Sequence, residues 1–497
     1  MGLADLLRRQ ALETPSRTAI VEPNGTTSYG ALWARAAAFA LALEESGVEP
    51  GDRVGLLLER TADAVAAVFA IHAVGAVGTI INNRLRAHQV EYVLSHSDAA
   101  VLISSEEMLA ALQRPLATSA RLLDTRSVPS AAEYTIVPRS STSFAQIIYT
   151  SGSTGLPKGV TFTAGALEAG TRIVSGYLGM HAGDRVASLL PLSSVYGLNQ
   201  VLCTVRTGAT LLIVDSPVAA DVVASLSAWG VTILAGVPPL WTQLLDVPAF
   251  AERPVRTLRQ MQNAGGHLPT PLVRRLRAAQ PHAALILQYG QTETFRGTHL
   301  PAHEIDEHPD SMGRPIPESE ILVVREDGTL CEAGEVGELV HFGPTIAAGY
   351  WRDPDATARV FRPHPVRGDQ TRGVHSGDLV RRDAAGRLYF VSRRDRIIKT
   401  LGYRVGPDEI VDVLMSSGEI VEAIVTSEPD QARGERIVAY VVLTAAGDRT
   451  RLVSYARREL PRYMQPARIE VRDRLARLVS GKYDLDAIRA PAVTTHA

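Results

Sequence analysis

Cysteine is nearly missing from this sequence: 497 residues hold two, Cys203 and Cys331, far apart and beside no His or Cys at ligand spacing. That scarcity argues against a disulfide framework or a zinc site and suits a reducing compartment, so a cytoplasmic location is expected. Net charge is missing too. Lys and Arg number 51 against 53 Asp and Glu, leaving −2 and no basic field to attract nucleic acid. The first residues, MGLADLLRRQ, offer no apolar h-region and no cleavage site, so a secretory leader is not expected. Leu6 stands where N-myristoylation would want Ser or Thr. The most membrane-like stretch, residues 64–81 (AVAAVFAIHAVGAVGTII), carries His72 and is rich in Ala and Gly. It reads as a buried helix running into a buried strand, and no membrane contact is expected.

What is present is a globular composition, 45% hydrophobic and 21% charged, in a chain long enough for at least two domains. Strand patterns at 53–58, 99–103, 145–149, 185–190, 210–214, 232–235 and 285–288 alternate with helical patterns such as 62–74, 217–229 and 270–279. Such alternation predicts parallel sheets covered by helices. After residue 310 the texture changes. Strands at 321–325 and 329–330 flank Asp327-Gly328, a hairpin signal, and 337–342 and 387–391 read as further antiparallel or barrel strands. A helix at 407–415, strands at 420–426 and 436–444 and a helix at 451–459 then form a compact α+β unit. The polar run 392–396, SRRDR, marks the boundary.

The most informative segment is residues 149–159, YTSGSTGLPKG. It follows an apolar strand. Gly152, Gly155 and Gly159 let the backbone turn its amides inward. Thr150, Ser151, Ser153 and Thr154 add hydroxyl donors, and Lys158 adds a positive charge. A loop of this kind suits a polyphosphate whose charge must be held while one bond breaks. It is not the P-loop of NTPases, because Pro157 precedes Lys158 and Gly159 follows it.

With this loop the sequence resembles the adenylate-forming superfamily of acyl-CoA synthetases, adenylation domains and luciferases. Four more segments resemble its motifs in the same order: YGQTE at 289–293, HSGDL at 375–379, SRRDRIIKTLGYRV at 392–405 and SGKY at 480–483. YGQTETFRGTHLP and GYWRDPDATARVFRPHP look most like bacterial stand-alone acid–AMP ligases. The resemblance implies an α/β fold: a large N-terminal domain of parallel-sheet subdomains and a small β-barrel-like part over residues 1–392, a hinge at 393–396, and a small mobile α+β lid over 397–497. It implies ATP and Mg²⁺, with CoA or a phosphopantetheine as thiol acceptor. Residues 150–155 and Lys158 would hold the β- and γ-phosphates, Thr292 the α-phosphate and Glu293 the Mg²⁺. Tyr289 and Gly290 would flank adenine, with Gly266, His267 and Leu268 opposite. Asp378 and Arg393 would bind ribose. Lys482 would be the catalytic lysine and Asp395 the hinge, while Lys399, Gly402 and Tyr403 would line the thiol channel.

The acid would meet Ser194, Val195, Tyr196, Gly236, Ala264, Gly265 and Gln291. Relatives that activate α-amino acids usually place Asp where Val195 stands, so the expected acid lacks a free α-amino group. Arg296 is read as half of a structural ion pair in preference to a partner for a second anionic group on the substrate. Ser392 and Arg396 depart from the family pattern at the hinge. The last third is rich in arginine, which is either a solvated face or a surface suited to an acidic carrier protein or to CoA. A monomer or homodimer is expected. The alternatives are the same ATP chemistry with an amine or inorganic acid as reactant, and a non-catalytic nucleotide-binding module.

Overall fold

The computed structural model describes residues 2–128, 130–150, 157–400, 403–430, 434–478 and 483–490. Three sheets organise them. The first has seven strands in the order Gly349–Tyr350, Lys158–Thr163, Phe144–Thr150, Val77–Ile80, Arg53–Leu57, Ala99–Ser104, Arg121–Asp124, and its last five run parallel. Its central strands are buried on both faces, as Val- and Ile-rich runs of this length require. The alanine-rich helices Tyr29–Glu45 and Ala62–Ala73 pack together within the largest core. Thr61 caps the second of them by accepting from the Ala64 amide at 3.2 Å. This helix and the strand Val77–Ile80 account for the membrane-like stretch. Burial holds the His72 pKa down at about 3, with Arg139 adding to the effect, so His72 sits in the core uncharged. Among the described residues no helix is long and apolar enough to cross a membrane.

The second sheet has fourteen strands. Its parallel half contains Ile233–Gly236, Gln260–Asn263 and Ala284–Tyr289 side by side. Thr298–Leu300 then pairs antiparallel with Ala284–Tyr289 and hands over to Ser311–Pro315, Leu388–Arg393 and Arg372–Arg382, the small barrel-like part. The expected 321–330 hairpin closes around Asp327-Gly328: the Arg325 amide donates to the Thr329 carbonyl and the Cys331 amide to the Val323 carbonyl, both at 2.8 Å, on either side of a Val324–Leu330 bridge. The third sheet holds five strands. The chain leaves the second sheet at Arg393 and enters the third at Ile398. The helices Thr270–Ala279 and Pro407–Met415 lie where their sequence patterns place them.

The handover between parallel and antiparallel halves depends on Gly313. Its φ is +80°, and a Cβ there would lie 1.9 Å from the backbone oxygen of His299. Gly313→Ala is expected to cost more than about 2 kcal/mol, since backbone cannot yield as a side-chain tip can. Gly328→Ala, at φ +88° with nothing within 4 Å, is expected to cost only about 1 kcal/mol. Thermal melting of the two variants should separate them by several degrees.

Candidate active site

Two paired strands flank the phosphate-loop candidate. Phe144–Thr150 runs antiparallel to Lys158–Thr163, with Thr150 opposite Lys158. Ser151, Gly152, Ser153, Thr154 and Gly155 lie outside the described residues. Both flanks are tied down. The Tyr92 hydroxyl donates to the Pro157 carbonyl at 3.1 Å, and the Tyr149 hydroxyl meets His96 Nδ1 at 2.8 Å. Gly159 is required by space: a Cβ would come within 2.8 Å of Ile147 and 3.2 Å of Trp351.

Tyr350 joins this hairpin to the YGQTE segment. It lies on the two-residue strand beside Lys158–Thr163, opposite Val160. The Lys158 ammonium stands 5.4 Å from its ring centre. Its hydroxyl donates to Glu293 Oε1 at 2.7 Å. Burial, then the Glu293 charge, push the Tyr350 pKa up, so the phenol stays a donor. Glu293 itself sits in the 3-10 turn Thr292–Thr294, and its carbonyl accepts from the Ala347 amide at 2.8 Å. Thr292 is half-buried in the same turn. The sequence reading gave Tyr350 no role, although it falls inside the GYW segment.

A second group gathers around Asp378. The hairpin register places Asp378 directly opposite Arg393. Tyr289 and Gln291 both donate to Asp378 Oδ2, at 2.5 and 2.8 Å, and Gln291 also donates to the Ser376 carbonyl at 2.8 Å. The Arg393 guanidinium lies 3.4 Å from Oδ1 and 3.5 Å from Asp395. Asp378 is only 3% exposed, and Oδ1 is buried without a hydrogen bond. Burial raises the Asp378 pKa above the usual carboxylate range, and Arg393 pulls against it without prevailing. One oxygen of this carboxylate is thus saturated while the other keeps an open acceptor site, which fits a ligand that brings hydroxyl donors. Gln291, expected in the acid pocket, spends its amide here instead.

Of the remaining pocket candidates, Tyr196 and Ala264 come together with Leu190 and Ala235 in one apolar cluster. Gly236 is pressed on Trp241, where a Cβ would meet the ring at 2.8 Å. Gly265 turns at φ +80°, and a Cβ on Gly266 would crowd Pro238 at 3.1 Å. A Cβ on Gly290 would come within 2.9 Å of Arg296 Cα. Three candidates point elsewhere. Ser194 caps the helix Val195–Thr207, accepting from the Gly197 amide at 3.0 Å. Val195 packs on the largest core, and Leu268 belongs to the core beneath the second sheet. On the third sheet Lys399 is exposed, and Tyr403 is exposed and stacks on Tyr463 at 4.0 Å. Gly402 and Lys482 lie outside the described residues.

His267 binds across to the helix Pro407–Met415, with Nε2 at 3.0 Å from Asp412 Oδ1. Burial lowers the His267 pKa, but the hydrogen bond and charge of Asp412 outweigh it, and the net shift is upward from 6.5. This contact therefore favours the folded arrangement most below pH 6.5 and fades as pH rises through the raised value. An NMR titration should give His267 a pKa above 6.5 in the native protein and a lower one in Asp412→Asn, where burial is opposed only by the charges of Asp408 and Asp310.

Comparison with known proteins identifies the family. The AMP-binding enzyme model matches residues 7–351, and the AMP-binding enzyme C-terminal domain model matches residues 409–482. The chain is 30% identical to 2-succinylbenzoate–CoA ligase of Geobacillus kaustophilus, over 96% of this chain and 95% of that one. It is 30% identical to Delta-poly-L-ornithine synthetase of Acinetobacter baumannii over 99% of this chain, but spans only 37% of that relative. Of tyrocidine synthase 3 and tyrocidine synthase 1, both of Brevibacillus parabrevis, it spans 8% and 45%. Among solved structures it superposes on o-succinylbenzoate CoA synthetase of Bacillus subtilis in complex with its acyl-adenylate, at TM-score 0.85 and 27% identity over 98% of both chains. ATP-bound MatB of Rhodopseudomonas palustris gives TM-score 0.88 and 25% identity over 98% of both chains. By its matches at both ends and its three-sheet architecture, this chain belongs to the AMP-binding, adenylate-forming enzyme family.

Proposed function

We propose that this chain uses ATP to activate a carboxylic acid as an acyl-adenylate, releasing pyrophosphate, and then passes the acyl group to a thiol of CoA or a carrier-protein phosphopantetheine. The observation that carries this reading is the Asp378 carboxylate. Oδ2 is held by Tyr289 and Gln291, while Oδ1 is buried beside Arg393 with acceptor capacity left over. That arrangement suits the paired hydroxyls of a ribose. The nucleotide would then extend from Asp378 past Thr292 toward Lys158, with Tyr289 along adenine. Thr150 and Lys158 would grip the β- and γ-phosphates together with residues 151–155.

In the first step an oxygen of the acid attacks the α-phosphorus and pyrophosphate leaves. In the second a thiol attacks the acyl carbonyl and AMP leaves. The reactants carry like charges, so the protein must align them and offset that charge. Lys482, by its motif, would bridge the acid carboxylate and the α-phosphate. Glu293 would hold Mg²⁺, which when bound neutralises phosphate charge; Tyr350 fixes the direction of that carboxylate. Residues 393–396 would act as hinge around Asp395, between a part spanning 1–392 and a lid spanning 397–497. The abrupt passage from the second sheet to the third between Arg393 and Ile398 supports this.

The arginine-rich surface offers an acidic acceptor less free charge than composition suggests. Arg436 and Arg468 share Glu428, Arg451 pairs with Glu419, Arg472 with Glu470 and Arg477 with Glu422. The acceptor is therefore best separated by assay, comparing thioester formation on CoA and on a holo-carrier protein.

Exchange of pyrophosphate into ATP is expected to depend on an added carboxylic acid without an α-amino group. Lys482→Ala is expected to lower that exchange by about 10²–10³-fold and to leave ATP binding within about threefold. Best stimulation by an α-amino acid would overturn the substrate class. Absence of exchange with every acid tested would favour a non-catalytic nucleotide-binding module.

A further inference from the structure

Arg296 lies one layer behind the nucleotide strand. The backbone after the Thr292–Thr294 turn folds back on it, with the Gly297 amide donating to the Tyr289 carbonyl at 2.8 Å. Arg296 is 3% exposed, and its guanidinium sits 4.5 Å from the centre of the Tyr196 ring. Its Nε is buried without a hydrogen bond. Every aspartate and glutamate of the chain falls among the described residues, and none of them pairs with it. The structural ion pair expected from sequence is absent.

No neighbour supplies the missing negative charge in another form. Burial pushes the Cys203 thiol up to about 12, and it raises the phenols of Tyr177 and Tyr196 above their ordinary values, with Arg296 opposing in each case. All three stay protonated near neutral pH. A buried guanidinium without a counter-ion is strongly unfavourable and calls for an anion from outside the chain.

The surroundings are polar where an apolar acyl tail would want them greasy. Both amide atoms of Gln200 are buried without hydrogen bonds, and the Tyr177 hydroxyl is buried beside Arg296. Gln200 lines a small cavity together with Tyr196, and Tyr196 also belongs to the apolar cluster of Leu190, Ala235 and Ala264. The Tyr196 ring thus touches both the apolar cluster and the Arg296 guanidinium.

We propose that Arg296 is the counter-ion for a second carboxylate on the substrate, so that this chain activates a dicarboxylic acid at one end while Arg296 holds the other. This rests on the adenylating activity proposed above and names the class of acid. An arginine can meet such a group with two parallel hydrogen bonds, giving both charge and direction. The Tyr196 ring at its face keeps the guanidinium aligned.

The test uses the full chain and matched acids: hexanoate against adipate, and 3-phenylpropanoate against 3-(2-carboxyphenyl)propanoate. Acid-dependent pyrophosphate release should favour the diacid of at least one pair by about tenfold or more in kcat/KM. R296Q should abolish or reverse that preference with KM for ATP little changed, and R296K should restore part of it. In case R296Q folds poorly, thermal melting of the wild type serves as a second readout: the preferred diacid should raise its Tm and the matched monoacid should not. Turnover of monoacids as good as diacids, or a preference that survives in R296Q, would overturn this proposal and leave the adenylating activity standing. Absence of release with every acid of either kind would overturn both.

Discussion

One buried carboxylate holds the site together. Asp378 receives hydrogen bonds from Tyr289 and Gln291, at the end of the parallel half of the second sheet, and faces Arg393 within the antiparallel half. A charge taken out of water needs several partners, and these come from segments more than eighty residues apart. The two halves are therefore registered against each other at the point where nucleotide binding is proposed. Five residues after Arg393 the chain is already in the third sheet, so the same pair adjoins the proposed hinge.

The second organising feature is the way Tyr350 couples opposite charges. Lys158 lies over its ring and Glu293 takes its hydroxyl. The cation proposed for the tail of the nucleotide and the acid proposed for its metal are thereby held apart without pairing, which would leave both free for phosphate and Mg²⁺. Direct pairing of Lys158 with Glu293 would spend those charges on each other.

Much of the scaffold was legible because it is locally encoded. The helices Thr270–Ala279 and Pro407–Met415 show their apolar period and begin at Pro-containing first turns, and the buried strands read as short apolar runs. The partnership of Tyr289, Asp378 and Arg393 was legible only through motif resemblance. Gln291 was misplaced because its neighbour in sequence, Thr292, says nothing of Ser376 and Asp378 more than eighty residues on. Ser194 could have been read correctly, since a serine just before an apolar helix is an N-cap signal. Tyr350 was given no role, and a second-anion role for Arg296 was weighed but set behind an ion pair. The importance of one lies in two distant partners, and that of the other in having no carboxylate partner, a property no local pattern records.

The account requires the acid oxygen itself to bond to the α-phosphorus. The most direct measurement supplies a turned-over acid labelled with ¹⁸O in its carboxylate, together with the thiol acceptor, and analyses the nucleotide product by mass spectrometry. Acyl-adenylate chemistry predicts AMP carrying one ¹⁸O atom. Unlabelled AMP, or label appearing in inorganic phosphate with ADP as the nucleotide product, would contradict it.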